Sequence, residues 1–160
     1  MHSFTQNLRQ PRSLLLLLGF LILVVGVGAF IGTQTTPGAW YDSLDKPPFN
    51  PPGWVFGPVW FTLYVLIAVA GWRTWLQEGF GTGIGLWVAQ MALNWAWSPA
   101  FFVAENLWLA LAIILPMLAA IVTFIVYHWH RDRVSSILFI PYAAWVTFAT
   151  ILNASLAILN

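Results

Sequence analysis

Five stretches of this chain carry no charged residue and are each long enough to cross a bilayer: 13–41, 47–72, 79–104, 106–127 and 134–160. A helix needs about 20 apolar residues to span a hydrocarbon core. Lipid offers no partner to an unpaired backbone N–H or C=O, so a spanning segment closes its own hydrogen bonds as a helix or shares them in a closed barrel. Barrel strands are about 10 residues long and alternate in polarity, whereas LLLLLGFLILVVGVGAFIG and LALAIILPMLAAIVTFIV do not alternate. The chain therefore reads as an all-α integral membrane protein, a bundle of five transmembrane helices near 14–33, 54–76, 82–103, 107–129 and 135–157. Of its 160 residues 60% are apolar and 7% charged, too few charges to cover a water-soluble domain.

The short connections after the second, third and fourth spans predict antiparallel neighbours and one domain over 1–160. The first apolar run follows Arg9 and Arg12 but outlasts the roughly 7–15-residue core of a signal peptide, so it is read as a retained span. Arg9, Arg12, Arg73, Arg131 and Arg133 fall on one side of the five-span path and Lys46 on the other. By the positive-inside rule the N-terminus is cytoplasmic and the C-terminus outside. An apolar helical bundle suits an inner membrane better than an outer one. The absence of cysteine excludes disulfides and thiol catalysis, and a formal charge of +1 without a basic face excludes nucleic acid as a partner.

The longest loop, 34–53, contains TPGAWYDSLDKPPFNPPG. Pro47, Pro48, Pro51 and Pro52 preset its backbone, and Trp40, Tyr41 and Phe49 can bury against the mouth of a bundle. It reads as a lid, although the same aromatics suit an interfacial anchor. In the third span Gly81, Gly85 and Ala89 recur every four residues, the small-xxx-small pattern of close helix contacts in lipid. At about 100° per residue, Gln90 lies opposite Gly81 and Asn94 opposite Gly85. One face can meet a second copy while Gln90, Asn94, Trp97, Ser98 and Phe101 look into the bundle; alternatively both faces pack within one protomer.

Trp60 and Tyr64 in the second span, and Pro141, Trp145, Ala149 and Asn153 in the fifth, form similar faces by the i, i+4 rule. Together these faces can line a mainly aromatic pocket for a flat hydrophobic ligand. Pro58, Pro99, Pro116 and Pro141 can kink the helices and open a cavity. His128 and His130 diverge on a helix, hold no shared metal and read as interfacial residues reaching for water. No ionisable group sits at mid-span, which argues against an ion-coupled pump.

The segments WYDSLDKPPFNPPGWVFGPVWFTLY, QMALNWAWSPAFF and PYAAWVTFATILN, in that order, resemble the tryptophan-rich sensory protein/translocator protein (TspO) family, and the absence of long extensions suggests a bacterial member. The resemblance implies a five-helix bundle, commonly a homodimer here joined through Gly81, Gly85 and Ala89, with a pocket closed by the first loop. It implies porphyrins such as protoporphyrin IX and haem as ligands, sterols or lipids as further partners, and no required cofactor or metal. Carried over by position, the pocket comprises Tyr41, Pro51, Trp60, Asn94, Trp97, Ser98, Trp145 and Ala149, and the i, i+4 face of the second span adds Tyr64.

Some bacterial members degrade protoporphyrin in light, and the tryptophans implicated there match Trp60 and Trp145, which would be the catalytic residues of such an enzyme. The leading expectation is a receptor or sensor that regulates or traffics tetrapyrroles, with the degrading enzyme second. A transporter is last, because no alternating-access repeat is evident. Animal members follow the leucine and asparagine of the last span with a sterol motif, whereas this chain continues LNASLAILN. The segment 122–131, centred on Tyr127, fits the loose sterol pattern weakly.

Overall fold

The computed structural model describes residues 10–160, and Arg9 lies outside them. The described residues form six helices. Helix α1 runs Pro11–Gln34, α2 Ala39–Ser43, α3 Phe56–Glu78, α4 Thr82–Ser98, α5 Leu107–His128 and α6 Arg133–Leu159. Four of the five long ones start and end within three residues of the bounds expected from the apolar runs; α4 stops at Ser98, five residues short of 103, and a π turn over Pro99–Val103 covers the rest. The lid is more ordered than a plain loop: α2 was not expected from the sequence, and a single 3-10 turn, Gly53–Val55, leads into α3.

Helices α1, α5, α6 and α3 with its leading turn are long and apolar enough to cross a membrane. Helix α4 is not among these four. Its regular part is 17 residues long, and Gln90 and Asn94 dilute its apolar character. Both amides point inward, Gln90 fully buried and Asn94 4% exposed. On the outside, Leu15 is 68% exposed and Phe30 66%, as suits helices whose solvent is lipid rather than water.

Several local features follow from single residues. Pro11 opens α1, where its missing N–H would have no intrahelical acceptor. Within α1 the turn Ile22–Gly26 is π-helical. Pro99 begins a second π turn, Pro99–Val103, that extends α4; a proline there cannot donate to the preceding turn, and π geometry absorbs the break. Asn106 starts α5 by accepting a hydrogen bond from the Leu109 N–H at 2.9 Å. Gly79 ends α3 at φ 58°, a conformation that favours glycine.

Helix α5 packs against both α4 and α6, and α3 packs against α6 and the first half of α1. Beyond its π turn α1 leans toward α4. The main core gathers Ile67, Met117, Ile121, Phe124, Phe139, Tyr142 and Val146, with Phe124 stacked on Phe139 at 4.0 Å. Gly71 leaves the space in which the Trp87 indole lies against α3, so that Nε1 donates to the Ile67 carbonyl at 2.9 Å.

The end remote from the lid is held by polar contacts. Arg73 donates to both carboxylate oxygens of Asp132, at 2.9 and 2.7 Å, and the Ser135 hydroxyl donates to the same carboxylate at 2.6 Å. Burial pushes the Asp132 carboxyl up, but the hydrogen bonds from Arg73 and Ser135 and the guanidinium charge outweigh it and hold the group below its ordinary value. Glu78 accepts from the Ile84 N–H at 2.9 Å, capping α4 from the preceding helix, and from the Tyr127 hydroxyl at 3.1 Å. His128 corrects the expectation from its position near a helix end. It is 1% exposed, with Nε2 3.2 Å from the Thr74 hydroxyl and Nδ1 3.0 Å from the Phe124 carbonyl. Two polar partners inside the bundle let the ring stay buried instead of reaching for water.

Candidate functional site

Under the lid lies a cavity of about 740 Å³, within the range of about 300–1,000 Å³ typical of small-molecule sites. The lid contributes Tyr41, Asp42, Lys46, Asn50 and Pro51; α1 contributes Val25, Gly28 and Gly32, with Thr35 just past its end; α3 contributes Phe56, Trp60 and Tyr64. Helix α4 and its π turn supply Trp97, Ser98, Phe101 and Phe102, and α6 supplies Ala149, Leu152 and Asn153. Ala29, Gly32, Gly57 and Phe61 border the cavity and are also exposed on the outer surface, so the wall between α1 and α3 is open to the surroundings.

Most of the polar groups around this space are engaged with one another. The Tyr64 hydroxyl donates to Asn94 Oδ1 at 3.1 Å, and Asn94 Nδ2 donates to the Tyr142 hydroxyl at 2.9 Å. The Trp97 indole donates to Asn153 Oδ1 at 3.2 Å, while Asn153 Nδ2 donates to the Leu107 carbonyl at 2.9 Å. These bonds fix ring orientations and leave the cavity faced mainly by apolar groups, the rings of Trp60, Tyr64, Trp97 and Phe101 among them. Trp60 lies 5.4 Å from Tyr64 at an interplanar angle of 33° and meets Tyr142 edge-on at 6.3 Å. Trp97 and Phe101 are 5.1 Å apart at 35°.

The lid is seated by the same kind of contact. Trp40 meets Phe101 edge-on at 5.9 Å, and Tyr41 lies 5.7 Å from Phe102. The Tyr41 hydroxyl donates to Asn50 Oδ1 at 2.9 Å, tying the two halves of the lid together. Burial raises the Tyr41 phenol above its ordinary value of 10.0, the Asn50 hydrogen bond opposes this, and nearby Asp42 adds to it. The phenol is therefore neutral at physiological pH. Asn160 clasps the lid from the end of α6, accepting from the Asp45 N–H at 2.9 Å and donating to its carbonyl at 3.1 Å.

Of the residues expected at the site, Tyr41, Pro51, Trp60, Tyr64, Trp97, Ser98 and Ala149 meet around this one cavity. Asn94 stands one layer behind, gripping Tyr64. Trp145 lies apart: it borders an apolar groove on the outer face with Pro58, Leu66, Pro141 and Phe148, and Phe56, 5.8 Å away, belongs to both its surroundings and the cavity wall. Gly85 and Ala89 lie on the exposed side of α4 and Gly81 is half-buried near Glu78, so the small-residue stripe faces away from the buried Gln90 and Asn94.

Sequence reasoning missed the contribution of α1 and the charged rim of Asp42 and Lys46. Gly28 and Gly32 stand four apart in GAFIG, the same spacing noted in α4, and that spacing was the available signal. A side chain at Gly28 would collide with the Tyr64 ring, so this glycine is what admits Tyr64 to the cavity floor.

An all-helical bundle of lipid-suited helices around an aromatic, lidded, ligand-sized cavity defines a membrane protein built to hold a small hydrophobic molecule. Comparison with known sequences specifies the family. The TspO/MBR family pattern matches residues 19–159, and the chain belongs to that family. It is 37% identical to the tryptophan-rich sensory protein of Cereibacter sphaeroides, over 84% of this chain and 85% of that one. It is 37% identical to the translocator protein of Homo sapiens, over 82% of each chain. It is 34% identical to the tryptophan-rich protein TspO of Archaeoglobus fulgidus, over 87% of this chain and 92% of that one.

Proposed function

We propose that this protein is a five-span membrane receptor or sensor that binds porphyrins, such as protoporphyrin IX and haem, and related flat hydrophobic ligands under its lid, and so regulates or traffics tetrapyrroles. The observation that carries this reading is the cavity itself: about 740 Å³, faced by Trp60, Tyr64, Trp97 and Phe101, with its amides already paired to other protein groups. A planar aromatic ligand gains offset and edge contacts with such rings, and few polar groups lose water on its entry. The relatives named sensory protein and translocator protein agree with a binding role.

In this reading α4 is the fifth span, its amides hidden inside the bundle. The protein sits in a bacterial inner membrane with its N-terminus cytoplasmic, and a homodimer forms through Gly81, Gly85 and Ala89. The light-dependent degrading enzyme is the second reading, favoured by the Trp60 ring at the cavity wall. It ranks below the receptor because Trp145, its other expected residue, faces the outer groove.

The test is a dark titration of purified protein with protoporphyrin IX, followed by tryptophan quenching. Saturable quenching is expected, weakened about tenfold by Trp60→Ala and little changed by Trp145→Ala, in keeping with loss of one aromatic contact of order 1 kcal/mol. Absence of quenching would remove porphyrins as ligands and leave sterols or lipids. Illumination then separates the two readings: stable porphyrin bands fit a receptor, whereas a new protein-dependent product, lost in Trp60→Phe, fits the enzyme.

A further inference from the structure

The cavity that receives the ligand has a charged rim. Among the described residues, Lys46 is the one lysine or arginine that lines it. Its ammonium donates to the backbone carbonyls of Asp42 and Leu44 at 3.1 and 3.4 Å and stands 4.8 Å from the centre of the Tyr41 ring. These contacts hold the group in place without cancelling its charge, because carbonyls and a neutral ring carry no full negative charge. Among the described residues the ion pair that forms joins Arg73 and Asp132, at the opposite end. An ammonium has three N–H donors, so one remains beyond the two carbonyls. Asp42 also reaches the rim, but it is exposed where Lys46 is half-buried, and an exposed charge is the more strongly screened.

Resting on the porphyrin-binding reading above, we propose that Lys46 is the residue that selects the ligand's charge. The favoured ligand has a flat apolar body that lies toward Trp60 and Tyr64 and a carboxylate at its edge that pairs with the Lys46 ammonium under the lid. Charge-assisted hydrogen bonds are about twice as strong as neutral ones, and a half-buried rim strengthens the pair further. Esterified or amidated ligands with the same ring body lose this contact. The rim therefore distinguishes acids from their neutral derivatives.

The experiment titrates the full-length protein in detergent, in the dark, with protoporphyrin IX and with its dimethyl ester, reading tryptophan quenching. Wild type is expected to bind the acid about tenfold more tightly than the ester. Lys46→Gln should weaken the acid about tenfold and leave the ester unchanged, which also reports an intact cavity. Lys46→Arg should retain the preference, and Asp42→Asn should tighten the acid. Equal binding of acid and ester by wild type, or an equal loss of both in Lys46→Gln, would overturn the role of Lys46 while leaving porphyrin binding in place. Failure of both compounds to bind would overturn the porphyrin reading, and this inference with it.

Discussion

Tyr64 joins three elements. Its ring fills the space left by Gly28 of α1, stacks beside Trp60 one turn earlier, and holds Asn94 of α4 through its hydroxyl. At the opposite end Asp132 is the corresponding junction, accepting from Arg73 and Ser135 while only 6% exposed. Removing one partner of a buried pair leaves the other charge uncompensated, so Asp132→Ala should lower stability by about 3 kcal/mol. A thermal melt in detergent at neutral pH checks this. The sign with pH follows from a carboxyl held below its ordinary value of 3.8. Its stabilisation is fully present above that value and is lost as pH falls through the lower folded value. Wild type should therefore show an acid-dependent loss of melting temperature that Asp132→Ala lacks. Trp60 and Tyr64 could be placed together from their spacing alone. Lys46 could not be placed, because its position over Tyr41 depends on how the lid folds back.

Helix α4 shows how one element serves two surroundings. Its buried face carries Gln90 and Asn94, and its outer face carries Gly85, Val88 and Ala89. The two faces were legible from the sequence, because a helix has a fixed angle per residue and polar side chains avoid lipid. A Cβ at Gly85 would meet nothing within 4 Å in the single chain, so Gly85→Leu should fold normally yet leave monomers in detergent, read by light scattering. A dimer that persists would move the interface off this stripe. The π turns at Ile22–Gly26 and Pro99–Val103 were only half legible. Pro99 announces a break in the helical ladder, whereas no proline or polar residue marks the turn in α1.

At the scale of the whole molecule, the two ends differ in kind. The described arginines, Arg12, Arg73, Arg131 and Arg133, belong to the end that Arg73 and Asp132 tie together, and Lys46 sits in the lid at the other. Such asymmetry sets orientation in a membrane. With no native cysteine, single-cysteine variants report it directly. Ser43→Cys in the lid should react with a membrane-impermeant maleimide in cells whose outer barrier has been opened, and Arg131→Cys should react only after the inner membrane is lysed. The reverse pattern would invert the topology. The lid also closes the cavity from one end only, and the exposed Gly32, Gly57 and Phe61 leave a way in from the side.

The sequence by itself determined that the chain is helical, where its long helices run, that they suit lipid, and which family motifs it carries. Each of these rests on local facts: apolar length, residue spacing, and the need of every backbone group in lipid for a nearby partner. Only the tertiary structure decided which aromatic faces converge. Trp60 and Trp145 sit on similar faces of their helices, yet one lines the cavity and the other an outer groove, with Phe56 of the cavity wall 5.8 Å from Trp145. The burial of His128, the entry of α1 into the site through Gly28, and the place of Lys46 at the rim belong to the same class. Each depends on the rotation of one helix against another, or on the path of a loop back over the bundle, and neither is encoded in the spacing within a single segment.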